Sequence, residues 1–77
     1  MTHEKILKDL GLSERESKVY LALIELGETT VGPIASKTRI QHPKIYQTLE
    51  KLIDKGLVSF VIKFKTKYFQ AQDPEHL

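Results

Sequence analysis

The 77-residue chain contains no cysteine. It therefore has neither a disulfide staple nor a thiolate metal site, and a reducing, cytoplasmic setting is the simpler expectation. Long hydrophobic runs are missing too: none approaches the roughly 18 residues a membrane span requires, and the opening MTHEKILKDLG lacks the apolar block of a signal peptide. There is no internal repeat, low-complexity tract or linker. No Gly-rich phosphate loop occurs, His3, His42 and His76 lie too far apart for a metal motif, and Ser13, Ser36 and Ser59 have no recognisable nucleophile context. These absences argue against an enzyme, a cofactor and a membrane partner. What remains is one small domain spanning residues 1–77, with a core that buries only about 60 to 65% of the unfolded surface.

The net charge of +2 is uninformative until it is divided along the chain. Residues 1–28 hold four basic and six acidic side chains, and residues 68–77 hold only Asp73 and Glu75. Residues 29–67 carry Lys37, Arg39, Lys44, Lys51, Lys55, Lys63, Lys65 and Lys67 against Glu50 and Asp54, a local balance of +6. A basic stretch beside a near-neutral remainder can meet a polyanion with one face, although a solvated lysine-rich surface accounts equally well for the charge alone.

Periodicity divides the chain into elements. Thr2 can cap a short helix with Ile6, Leu7 and Leu10 at helical spacing, stopped by Gly11. A second helix starts in LSERESKVYLALIELG, where Ser13 and Glu16 have capping-box spacing and Gly27 ends the run. Val19, Tyr20, Leu23, Ile24 and Leu26, widened by Leu21 and Ala22, give it a broad apolar face suited to a central scaffold. TTVGPIASKT predicts a short third helix with Pro33 in its first turn and Ile34 and Ala35 inward. RIQH leaves room only for a tight turn before a longer fourth helix, with Pro43 at or near its first position. Such a pair is a helix-turn-helix.

After Gly56 the period changes. LVSFVIKFKTKYFQAQ reads as two antiparallel strands, about 57–64 and 67–72, joined at a basic tip near Lys65 and Thr66. Phe60, Ile62 and Phe64 alternate with Ser59, Val61 and Lys63, so the aromatic face is expected to cover the core while lysines project outward. The closing DPEHL has the signature of the start of a further helix at 73–77. The expected fold is mainly α with a small β-hairpin: a winged helix-turn-helix of about four helices and a two-stranded wing.

At this point the residues resemble a known family. LSERESKVYLALIELG, KIYQTLEKLIDKGLV and KYFQAQDP, within a match from about Leu10 to Pro74, look like the N-terminal winged-helix domain of the TrmB-type archaeal transcriptional regulators. The resemblance implies the DNA-binding domain of a regulator, joined in longer relatives to a dimerising helix and a sugar-binding domain. Two departures stand out. The family's wing usually contains Gly and Pro with an Arg near its tip, whereas VIKFKTKYF has none of these, and the commonly acidic position after Gly32 is Pro33.

The fourth helix carries the candidate site. With Ile45 set to zero at about 100° per residue, Leu49, Leu52 and Ile53 place the buried direction near 30°. Pro43, Lys44, Gln47 and Lys51 lie closest to the opposite face. In a helix-turn-helix the leading part of this helix meets base edges, so Gln47 is assigned to adenine, Lys44 to guanine or a phosphate, and Lys51 to the backbone. Gln41 and His42 are candidates for phosphates at the helix start, His42 equally for a plain capping role. Tyr46 borders the core, which favours packing with its hydroxyl in reach of a phosphate. Glu50 and Asp54 repel DNA from the far end and confine contact to the first two turns. Lys63, Lys65 and Lys67 are candidate phosphate contacts on the wing.

The expected partner is double-stranded DNA, with a homodimer formed through elements beyond residue 77. The alternative is a winged-helix interaction module whose lysines serve an acidic protein.

Overall fold

The computed structural model describes residues 11–72. Its first helix, α1 (Glu14–Leu26), begins where Ser13 and Glu16 close on each other. The Ser13 hydroxyl accepts from the Glu16 amide at 3.2 Å, and Glu16 Oε1 accepts from the Ser13 amide at 2.7 Å. Two otherwise orphaned backbone donors are satisfied in this way. The predicted first helix and the predicted helix at 73–77 both lie outside the described residues. Gly11 does have positive φ, at 80°. Three helices rather than about four are therefore seen among the described residues, followed by the two-stranded hairpin.

α1 is the scaffold. It packs on α2 (Val31–Thr38), on α3 (His42–Asp54) and on β2 (Thr66–Ala71). Val19, Tyr20, Ala22 and Leu23 are buried, joined by Ile34 of α2 and by Ile45, Leu49 and Leu52 of α3. The apolar face of α1 is narrower than its composition suggests. Ile24, a further 100° round the helix from Leu23, is exposed at 48%, and Leu26, the last residue of α1, is exposed at 39%.

α2 ends at Arg39, which adopts the left-handed conformation with φ 62° and donates its amide to the Ala35 carbonyl at 2.7 Å. Thr38 caps the same turn by donating to the Ile34 carbonyl and accepting from the Ile40 amide. Only Arg39, Ile40 and Gln41 separate α2 from α3. Pro43 takes the second position of α3, where no intrahelical donor is needed. α3 stops at Gly56, whose φ of 77° a residue with a Cβ rarely adopts, and the Leu57 amide returns to the Leu52 carbonyl at 3.0 Å.

β1 (Val58–Lys63) and β2 pair antiparallel from Val58 opposite Ala71 to Lys63 opposite Thr66. The loop is thus Phe64–Lys65, one residue earlier than the break expected near Lys65 and Thr66. Phe60, Ile62, Lys67 and Phe69 share one face, and Ser59, Val61, Lys63 and Tyr68 the other. The expected division into an aromatic core face and an outward lysine face does not hold. Only Leu57, Val58 and Phe69 at the hairpin base are buried, whereas Phe60, Ile62 and Phe64 are exposed by 40%, 63% and 97%. The helical core ends beneath the base, and the distal hairpin extends past it.

That base is tied down. Thr29 and Phe69 exchange amide-to-carbonyl bonds at 2.9 and 2.7 Å, adding a one-residue third strand beside β2. The Tyr20 hydroxyl donates to the Gln72 carbonyl, the Gln72 amide donates to the Leu57 carbonyl, and the Gln72 side chain donates to the Ser59 hydroxyl.

One polar cluster joins the two ends of the helical layer. Lys55, just past α3, reaches the buried Glu16 carboxylate at 3.1 and 3.3 Å and the Gly11 carbonyl at 3.3 Å. Burial pushes the Glu16 carboxyl up, but the Ser13 amide, the Lys55 ammonium and the Ser13 hydroxyl together hold it below the usual glutamate value. A carboxyl lowered on folding stabilises the protein above its unfolded value, and that stabilisation is lost as pH falls through the folded value. Ser13→Ala is expected to cost about 1 kcal/mol in urea unfolding at neutral pH. Glu16→Gln is expected to lower stability at neutral pH and to flatten its decline below about pH 4.5. An unchanged acid limb would show that the carboxylate does not fasten α3 to α1.

Candidate nucleic-acid interface

The outward side of α3 follows from what its inward side buries. Ile45, Leu49 and Leu52 are buried as expected, and so is Thr48, at 3% exposure. Its hydroxyl donates to the Lys44 carbonyl at 2.7 Å, which consumes its polarity inside the helix and leaves the methyl to pack. Including Thr48 and leaving out Ile53, which is only partly buried, turns the buried direction from near 30° to roughly 350° on the helical wheel. The outward direction becomes roughly 170°, close to Pro43 and Gln47. Tyr46 turns with it, is 52% exposed, and is not packed in the core as the wheel favoured.

The leading end of α3 is open. Gln41 is the N-cap residue by position, but its side chain makes no cap bond, and Thr30 likewise leaves the start of α2 without one. The start of α1, in contrast, is closed by its Ser13–Glu16 capping box. First-turn amides of both helices of the helix-turn-helix therefore remain available to an anion. Gln41, His42, Pro43, Lys44, Gln47 and Lys51 are all exposed. Lys51 lies toward the flank of α3, in a shallow recess of mixed charge shared with Ser13, Glu14, Arg15, Glu16, Lys18, Ile40 and Thr48.

Ion pairing sorts the basic side chains. Lys37 pairs with Glu25 at 2.6 Å, Lys55 with Glu16 at 3.1 Å and Lys63 with Glu28 at 2.6 Å. Each acidic partner comes from the first 28 residues, so folding folds part of the acidic segment back onto the +6 stretch. Among the described residues, no ion pair engages Arg39, Lys44, Lys51, Lys65 or Lys67. Lys67 lies over the Phe60 ring at 4.7 Å, and Lys63 is 5.7 Å from the Tyr68 ring centre. Hydrogen bonding and charge from Glu28 raise the Lys63 pKa above the ordinary lysine value. Of the three wing lysines chosen from sequence, Lys65 at the tip is the least encumbered.

Residue choice from the wheel passed over Arg39. It lies in the turn, outside either helix, and contributed only to the charge count. Exposed, it caps the end of α2 in a left-handed backbone conformation, three residues before α3 begins. Arg15 was missed for a related reason: it belongs to an acidic segment and reaches the Lys51 recess only through the fold.

A short helix, a tight turn, a longer helix with an open cationic lead, and a lysine-bearing hairpin define a winged helix-turn-helix domain. Residues 7–75 match the family model described as sugar-specific transcriptional regulator TrmB. The chain belongs to that family of transcriptional regulators. It is 38% identical over 64 residues to the HTH-type sugar sensing transcriptional regulator TrmBL1 of Pyrococcus furiosus, covering 79% of this chain and 19% of that protein. Over 51 residues it is 43% identical to the uncharacterized protein YrhO of Bacillus subtilis, covering 66% of this chain and 18% of that protein. The chain thus spans about a fifth of the length of these relatives. Its fold is like that of the ST1889 protein of Sulfolobus tokodaii, with a TM-score of 0.76 at 21% identity over 92% of this chain and 72% of that one.

No helix among the described residues is long and apolar enough to cross a membrane.

The Glu28–Lys63 pair gives a direct test of which wing lysines face a nucleic acid. Glu28→Gln removes the competing carboxylate, so Lys63 becomes free to meet a phosphate. Duplex titrations across salt are expected to show tighter binding and a logarithmic salt slope steeper by up to about 0.9. An unchanged slope would leave Lys63 off the phosphate backbone.

Proposed function

We propose that this domain binds duplex DNA sequence-specifically in the cytoplasm, as the reading head of a transcriptional regulator. The first two turns of α3 enter the major groove, and the wing sets its lysines against the phosphate backbone. The observation that carries this reading is the distribution of unpaired cations: Arg39, Lys44 and Lys51 surround the leading part of α3 and Lys65 crowns the wing, while Lys37, Lys55 and Lys63 are occupied by glutamates. Family membership supports it independently.

Within the groove, Gln47 suits a paired contact with adenine, and Lys44 suits guanine or a phosphate. Gln41 and His42 sit where open first-turn amides also favour a phosphate. The exposed Tyr46 hydroxyl is free to reach the backbone from the other flank, and Lys51 does so from its recess. Glu50 and Asp54 stay away from the polyanion. In the natural protein a dimer element beyond residue 77 would hold two copies of α3 about one helical turn apart, matching a two-fold operator.

Selection of bound sites from random duplexes would define the target. On that target, Lys44→Ala or Gln47→Ala is expected to relax base preference by about 1 to 3 kcal/mol, while Lys65→Ala weakens all sequences together. Failure of the folded, dimeric protein to bind any duplex at low salt would refute the reading. Sedimentation of a longer natural form is expected to give a dimer, and a strict monomer would remove the two-fold operator.

A further inference from the structure

The tip of the wing holds an aromatic ring at a position that disfavours it. Phe64 is 97% exposed, the most exposed of the large hydrophobic residues described. It has φ 51° and its neighbour Lys65 has φ 65°. Positive φ at both central residues is the two-residue hairpin turn that favours Asn-Gly. A residue with a bulky side chain is strained in this region, and here the ring also meets only water. The neighbouring aromatics are accommodated differently: Phe60 and Phe69 pair with ring centres 6.0 Å apart, and Lys67 covers Phe60. Nothing within the described chain offsets either cost at Phe64. Strain retained at an exposed tip points toward a contact outside the chain.

The geometry points to Phe64 as an apolar wedge that enters the minor groove of the bound duplex and partly unstacks one base step. This rests on the DNA-binding reading above. The charges at the tip favour a polyanion over an apolar protein pocket, since Lys63, Lys65 and Lys67 all lie within three residues of Phe64. Dimensions agree. The minor groove is about 6 Å wide and 7.5 Å deep, and two paired strands are about 4.8 Å apart before side chains are added. The body of the hairpin is too wide to enter, but its two-residue apex fits, with Phe64 leading and Lys65 beside the phosphates.

A phenyl ring forms no base-specific hydrogen bond. It selects a site through the ease of unstacking, which is greatest at pyrimidine–purine steps, and kinks the duplex toward the major groove. The departure of this wing from the Gly- and Pro-containing pattern of its family thus has a physical role: a residue able to read deformability replaces one suited to the turn.

The test compares the unaltered protein with Phe64→Asn, which suits the left-handed turn, and Phe64→Trp, which keeps a wedge. Each is titrated against the selected duplex, with bending read by end-to-end energy transfer and unstacking by 2-aminopurine at the candidate step. Phe64→Asn is expected to fold at least as stably, to bind on the order of tenfold more weakly with an unchanged salt slope, and to lose both the bend and the fluorescence gain. Phe64→Trp is expected to retain them. If Phe64→Asn binds and bends DNA as the unaltered protein does, or if the unaltered protein binds straight DNA, the wedge is overturned while DNA binding stands. If the unaltered protein binds no duplex, both fall together. Unchanged duplex binding with reduced self-association in sedimentation would assign the tip to a protein contact and overturn the wedge.

Discussion

The buried stripe of α3, Ile45, Thr48, Leu49 and Leu52, fixes the rotation of that helix against α1, and rotation decides which side chains can meet a groove. Burying each large apolar side chain is worth roughly 1.5 to 3 kcal/mol, whereas an exposed charge pair contributes about 0 to 1 kcal/mol. The surface residues of α3 therefore have no say in which way the helix faces. They are carried to their positions by the core. A polar residue on the buried side matters as much as an apolar one if it can satisfy itself, and Thr48 does so through its own helix. Its burial turns the exposed face toward Tyr46 and Pro43 and leaves Lys44 and Lys51 nearer one flank.

The ion pairs divide by what they do. Glu16 and Lys55 belong to a partly buried network with the Ser13 cap and the Gly11 carbonyl, so their pairing holds the end of α3 beside the start of α1. The Lys37–Glu25 and Lys63–Glu28 pairs involve well-exposed lysines and are screened by salt. Their consequence lies in availability rather than stability: a lysine held by a glutamate 2.6 Å away must exchange that partner for a phosphate. Charge counted along the sequence could not see this, because each glutamate is at least 12 residues from its lysine.

Sequence patterns were most legible where one local rule decides the outcome. The Ser13–Glu16 box, the stops at Gly27 and Gly56, the tight turn before Pro43 and the Ile45–Leu49–Leu52 stripe depend on neighbours a few residues away. The hairpin was legible as a hairpin, but its faces were not. Alternation says that Phe60 and Ile62 share a side, yet it is silent on how far the helical core extends beneath them. The loop, one residue earlier than expected, sets Lys67 opposite Ile62 instead of Phe64 and so brings it next to Phe60. The Thr29 bridge to Phe69 had no signal, since a single residue has no period. The candidate contacts on α3 came from the wheel, and Arg39 escaped because a turn residue has no place on a wheel.

α1 packs against both α3 and β2, so one helix sets the distance between the two elements proposed to meet DNA. The Tyr20–Gln72 bond and the Thr29 bridge make the wing base part of that scaffold, and the tip projects from a fixed footing. Such a head carries few free charges. If Arg39, Lys44, Lys51, Lys65 and Lys67 each neutralised one phosphate, the logarithmic salt slope would be about 4.5. Affinity would then fall by a factor on the order of several hundred between 50 and 200 mM salt. One copy bound mainly through phosphates would hold its site weakly under physiological salt. Two linked copies would make the second engagement intramolecular, which would turn a modest charge count into occupancy and is the physical ground for the proposed dimer.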